Sequence, residues 1–160
     1  MAKSVKLKNN FFWSRNSIKR DYIKVVATTD QKLSEAGDMN VLFQKEEINV
    51  GNGFILKDGK IVINSDNIHH VRVSVLLWVE RYNNSYAWCR LTKNGINCCA
   101  YMLGNSDLDA WNSIQLYTIL DVKKNDEVYP KIQFNKSSTY NAIKGKTYAN
   151  SCLMIVEAID

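Results

Sequence analysis

A chain of 160 residues can bury a substantial single-domain core, and 46% hydrophobic against 23% charged residues excludes a largely disordered polymer. No run of 18 or more apolar residues occurs, which argues against membrane insertion. The formal charge of +5 is concentrated in residues 1–24, which hold seven basic residues and one acid, and the near-neutral remainder has no basic stripe of the kind that binds nucleic acid.

In chain order, the basic N-terminus leads to Phe11-Phe12-Trp13, too short an apolar run for a signal peptide and closed by Arg15. No secretory signal is therefore expected. Aromatic residues among charges suit an arm that docks on a neighbouring protein. Residues 1–39 are read as an attachment segment, with a possible strand at Tyr22–Ala27 and a polar stretch from Thr28 to Asn40.

Residues 40–160 are read as the head. Short segments rich in Val, Ile, Tyr and Trp recur there between turn signals. The pattern predicts strands at Val41–Gln44, Gly53–Lys57, Lys60–Asn64, Val71–Arg81, Tyr86–Thr92, Ile96–Leu103, Asn112–Asp121, Glu127–Asn135 and Ser151–Ala158. Asp58-Gly59 and Asn94-Gly95 supply residues that tolerate the positive φ of tight hairpins. Lys124-Asn125-Asp126 is a further polar turn, and Pro130 implies an edge or a bulge in its strand. No sustained helical periodicity follows residue 40, so the fold class is all-β, a jelly-roll β-sandwich.

Strand faces carry further information. One face of the 71–81 segment holds Val71, Val73, Val75, Leu77 and Val79, and the other holds Leu76 and Trp78 at its middle. The 112–121 segment sets Ile114, Leu116 and Leu120 against Tyr117 and Ile119, and the last strand sets Leu153 and Ile155 against Cys152, Met154 and Val156. A sheet facing water alternates apolar and polar residues. Strands apolar on both faces need cover on both, and the chain has no helices to supply it. Other copies of the chain are the economical cover, with residues 1–39 as the alternative. The expected self-association residues are Leu76, Trp78, Tyr117, Ile119, Met154 and Val156.

Ile48-Asn49-Val50-Gly51-Asn52-Gly53-Phe54, then Asp58-Gly59-Lys60-Ile61-Val62-Ile63 and Val71-Arg72-Val73-Ser74-Val75, resemble the opening strands of bacterial and phage members of the complement-globular-head and tumour-necrosis-factor-like jelly rolls. Asn125-Asp126-Glu127-Val128-Tyr129 and Ser151-Cys152-Leu153-Met154-Ile155-Val156-Glu157 resemble that family's last two strands, with Asn-Asp where the family has Gly-Asp. The resemblance covers about residues 40–160 and implies a homotrimer whose doubly apolar strands line the trimer axis. The start, Ser4-Val5-Lys6-Leu7-Lys8-Asn9-Asn10-Phe11-Phe12-Trp13, resembles small fibre, baseplate or head-decoration proteins of tailed phages and prophages of Gram-positive bacteria. It implies a virion location after assembly in the bacterial cytoplasm, with residues 1–39 meeting other virion proteins.

Catalytic motifs are missing. The sequence has no Gly-x-Ser-x-Gly, no phosphate-binding glycine loop and no His-Glu-x-x-His. His69 and His70 lack evident further ligands, and Asn105, Asp107 and Asp109 have calcium-loop spacing without the Gly and Glu such a loop needs. No metal or cofactor is expected, and no enzyme activity. Cys89, Cys98, Cys99 and Cys152 fit neither a disulfide framework nor a metal knuckle and read as reduced small hydrophobes.

If consecutive strands run antiparallel, the loops Arg81–Tyr86 and Gly104–Trp111 and the loop before the last strand share one end. Tyr82, Asn84, Tyr86, Asn105, Asp107, Asp109, Trp111 and Tyr140 there have the composition of recognition loops and are the expected ligand-binding residues. The expectation is thus a non-enzymatic trimeric virion module that binds a host-surface ligand, a saccharide before a protein. The alternatives are a secreted ligand for a protein receptor and a purely structural capsid decoration.

Overall fold

The computed structural model describes residues 20–33, 37–81, 86–103, 110–135, 145–147 and 152–159. Thirteen strands occur among them: β1 (Tyr22–Val26), β2 (Gln31–Leu33), β3 (Gly37–Asn40), β4 (Lys45–Val50), β5 (Phe54–Lys57), β6 (Lys60–Ile63), β7 (His70–Arg81), β8 (Tyr86–Lys93), β9 (Ile96–Leu103), β10 (Ala110–Asp121), β11 (Glu127–Asn135), β12 (Gly145–Thr147) and β13 (Leu153–Ala158). All pairings are antiparallel, in two facing sheets.

The first sheet runs β10-β7-β13-β1-β4, with β12 and β2 continuing past the end of β13. The second runs β5-β6-β11-β8-β9, with β3 on β11 beyond β6. Inward Val71, Val73, Val75, Leu77 and Val79 of β7 are buried in one core with Cys89 and Leu91 of β8 and Ile132 and Phe134 of β11. Strands that alternate in this way bury one side chain in two, and the sandwich is sealed by both inner faces.

The turns follow their chemistry. Asp58 and Gly59 (φ 49° and 77°) close β5 onto β6, and Asn94 and Gly95 (φ 52° and 82°) close β8 onto β9. Mirror-image two-residue turns of this kind match the twist of the strands they join. Pro130 is neither at an edge nor in a bulge. It lies inside β11, where pairing with β6 stops at Val128 and pairing with β3 starts at Lys131. Its carbonyl, which accepts from Val41 N at 2.9 Å, faces that junction, so the missing N–H costs no ladder bond.

Besides that of Pro130, two sequence readings differ from this architecture. Val41–Gln44 is not a strand: Val41, Phe43 and Gln44 give their N–H groups to Pro130, Gly59 and Val26, so the segment bridges the sheets and joins neither ladder. The polar stretch from Thr28 to Asn40 contains β2 and β3. β1 lies between β13 and β4, so strands on both sides of the 39/40 division belong to the sandwich, and residues 1–19 lie outside the described residues.

Candidate functional site

Alternation along β7 and β10 turns one set of large side chains away from the core. Trp78, Tyr117 and Ile119 are 40%, 61% and 53% exposed, and Leu76 is half-buried beside them. The register aligns them with β13 in three rows, Ile119–Arg72–Glu157, Tyr117–Ser74–Ile155 and Gln115–Leu76–Leu153, with Ser113–Trp78 as a shorter fourth. Ser74, Leu76, Gln115, Tyr117 and Leu153 edge a shallow hollow of about 250 Å³. Four of the six expected self-association residues therefore share one outward surface.

Met154 and Val156 do not. Both are fully buried between the sheets, and the outward residues of β13 are Leu153 and Ile155. Both faces of this strand are apolar, so composition alone leaves its parity open. Pairing of Met154 with Val75 and of Val156 with Val73 places them with the core set of β7.

A charged band crosses one end of the face. Glu157 lies 3.3 Å from Arg72 and 3.7 Å from Arg20, and Lys24 lies 2.6 Å from Glu47. The hydrogen bond to Glu47 holds the Lys24 ammonium above its usual range, and the same bond holds the Glu47 carboxyl below its own. A second apolar surface lies on β9, paired among the described residues only with β8, where Ile96, Tyr101 and Met102 are exposed.

The fold coordinates agree with known architecture. Murine APRIL superposes with a TM-score of 0.61 at 11% identity, over 88% of this chain and 100% of that one. Eiger TNF from S. frugiperda gives 0.59 at 10%, over 89% and 94%. The fold is tumour-necrosis-factor-like. No family model matches the sequence, and no curated protein matches it. At such identities the likeness of these TNF-like sandwiches is one of fold.

The expected ligand loops are placed only in part. Tyr82, Asn84, Asn105, Asp107, Asp109 and Tyr140 lie outside the described residues. Tyr86 opens β8, opposite Asn135, and Trp111 is the second residue of β10, opposite Glu80. At the strand ends that flank these loops, Arg81 pairs with Ala110 and Gly145, and Tyr86 pairs with Asn135. At the opposite end His70 Nε2 lies 3.6 Å from Asp121 across the β7–β10 pair. Among the described residues no group of three His, Cys, Asp or Glu is placed to hold a metal.

Sequence reading missed a polar cavity of about 370 Å³ at that opposite end, lined by Asp21, Asn52, Gly53, Asn64, Ser65, Asp66 and Asn67. The Gly51-Asn52-Gly53 and Asn64-Ser65-Asp66-Asn67 clusters are its only signal, and they read equally well as turns.

Proposed function

We propose that this chain is a non-enzymatic binding module that works as a homotrimer, with the outward face of β7, β10 and β13 as its self-association surface. The observation that carries this reading is the exposure of Trp78, Tyr117 and Ile119 on one sheet face, beside half-buried Leu76, Leu153 and Ile155. Apolar burial is worth about 25 cal/mol per Å², and soluble monomers rarely leave such patches bare. The exposed apolar residues of β9 form a different surface, so the two surfaces of successive copies can meet heterologously and close into a ring. The non-enzymatic part rests on the missing nucleophile, phosphate-loop and metallohydrolase motifs.

Replacing both Tyr117 and Ile119 by Lys tests the face, because each ammonium resists burial. The double variant is expected to be folded and monomeric where the parent is trimeric. A trimer that survives the two substitutions rules this surface out.

The setting is proposed as a virion, where the residues before β1 meet other virion proteins and the sandwich meets a host-surface glycan or protein. Ser4–Trp13 carries that part. The likeness to Eiger TNF favours a second reading, a ligand for a protein receptor. Detection of the chain in purified phage particles supports the first. Recovery only as a free secreted protein supports the second.

A further inference from the structure

We propose that the polar cavity beneath Asp21 is a site for a neutral saccharide, held through vicinal hydroxyls. The inference rests on the reading of the chain as a binding module, and it places the ligand at the end opposite the loops singled out from composition.

Three elements build the site. Asp21 precedes β1, and its carbonyl accepts from Ala158 N at 2.9 Å, which fixes its backbone to the end of β13. The β4–β5 loop is pinned to the β6–β7 loop by Asn64 N donating to Gly53 O at 2.8 Å and Asn64 Nδ2 donating to Asn52 O at 3.0 Å. The cavity between them is open to solvent, and its volume lies within the range of small-ligand sites.

The Asp21 carboxylate makes no hydrogen bond or ion pair among the described residues. It lies against two glycines: a β-carbon at Gly51 would stand 1.7 Å from Oδ1, and one at Gly53 would stand 2.3 Å from Oδ2. Only residues without a side chain leave room for it there. A charged acceptor held in an open cavity with no protein donor has two to four hydrogen-bonding positions to offer. The Asp126 carboxylate, outside this cavity, shows the contrast, since Asn94 Nδ2 and Lys123 N already donate to it.

The rest of the lining decides the ligand class. Asp66 is already paired with Lys124 at 2.7 Å, which leaves Asp21 as the one uncommitted carboxylate of the cavity. Calcium takes six to eight oxygen ligands, with carboxylates carrying most of the charge balance, and one free carboxylate does not meet that need. Anions are opposed by both acids, and the lining offers little apolar surface to an aromatic ligand. Carboxamides at Asn52 and Asn67 and the hydroxyl of Ser65 donate and accept, as neutral hydroxyls require.

Saturation-transfer NMR on the full chain, with a panel of neutral hexoses and N-acetylhexosamines at millimolar concentration, tests the site. At least one sugar is expected to receive transfer, with affinity reduced about tenfold by Asp21→Ala and again by Asn67→Ala, each having lost a hydrogen-bonding group. Asn67 is an exposed loop residue, so its variant keeps the test open should Asp21→Ala unfold. Transfer from none of the sugars, or transfer that survives both substitutions, overturns the proposal. So does calorimetric binding of calcium alone that disappears in Asp21→Ala. Light scattering on the same samples separates the two claims: a trimer without sugar binding removes only this site, and a monomer that binds sugar keeps the site and removes the trimer.

Discussion

At Asp126 one side chain ties two turns together. Its buried carboxylate accepts from Asn94 Nδ2 at 2.8 Å and Lys123 N at 3.0 Å, while Asn94 Oδ1 accepts from Glu127 N at 2.8 Å. Asp126→Ala strands these donors and is expected to cost about 1–3 kcal/mol, measured by urea denaturation. Asn125 before it has φ 71°, the left-handed conformation that lets Asn stand where related turns have Gly. Cys152 plays a comparable part. Its thiol accepts from Trp78 N at 3.3 Å, in the gap on β7 between the pairing with β13, which ends at Leu76, and that with β12, which starts at Val79. Burial, with Cys152 nearby, pushes the Cys89 thiol up to about 12, against a partial offset from Arg90. The folded state thus keeps a proton that the unfolded state loses. The stability this contributes is present below the unfolded value of 9.0 and disappears as the pH rises towards 12. Between these limits the free energy of unfolding is expected to fall with pH more steeply for the parent than for Cys89→Ala, by up to about 1.4 kcal/mol per pH unit. Equal slopes would contradict it.

Among the elements, β4 has the least legible sequence and a clear structural task. Lys45-Glu46-Glu47-Ile48-Asn49-Val50 shows no core-facing alternation, because all six residues are exposed. Its side chains instead cap the edge of β5: Glu46 Oε1 accepts from Leu56 N at 3.0 Å, and Asn49 Nδ2 donates to Phe54 O at 3.3 Å. Unpaired edge groups invite pairing with another chain. The Glu46→Ala, Asn49→Ala double variant is expected to lose about 1–2 kcal/mol and to associate beyond the parent's oligomer at high concentration, visible by sedimentation. The long strands β7, β8, β10 and β11 were legible because their apolar alternation is imposed by the core, and the β5–β6 and β8–β9 hairpins because of Asp58-Gly59 and Asn94-Gly95. Val41–Gln44 misled because burial of Val41 and Phe43 has period two even though no strand pairs there. The short β2, β3 and β12 offer three or four residues each, too few to show any period.

For the whole molecule, the jelly roll was legible and its working surface only partly so. Polar residues on one face of β7 and β10 revealed which way Leu76, Trp78, Tyr117 and Ile119 point. β13, apolar on both faces, carried no such marker, and Met154 and Val156 proved to be core. The polar cavity was illegible because Asp21 and its glycines lie some thirty residues apart in sequence and meet only when β1 joins β4 and β13. The central claim is that a second copy covers the Trp78–Tyr117–Ile119 face. Its most direct test is the solution mass of the parent chain by light scattering after gel filtration, at several concentrations. A stable species at three times 18.4 kDa is the predicted result. A persistent monomer at every concentration would contradict it and leave that face to another partner.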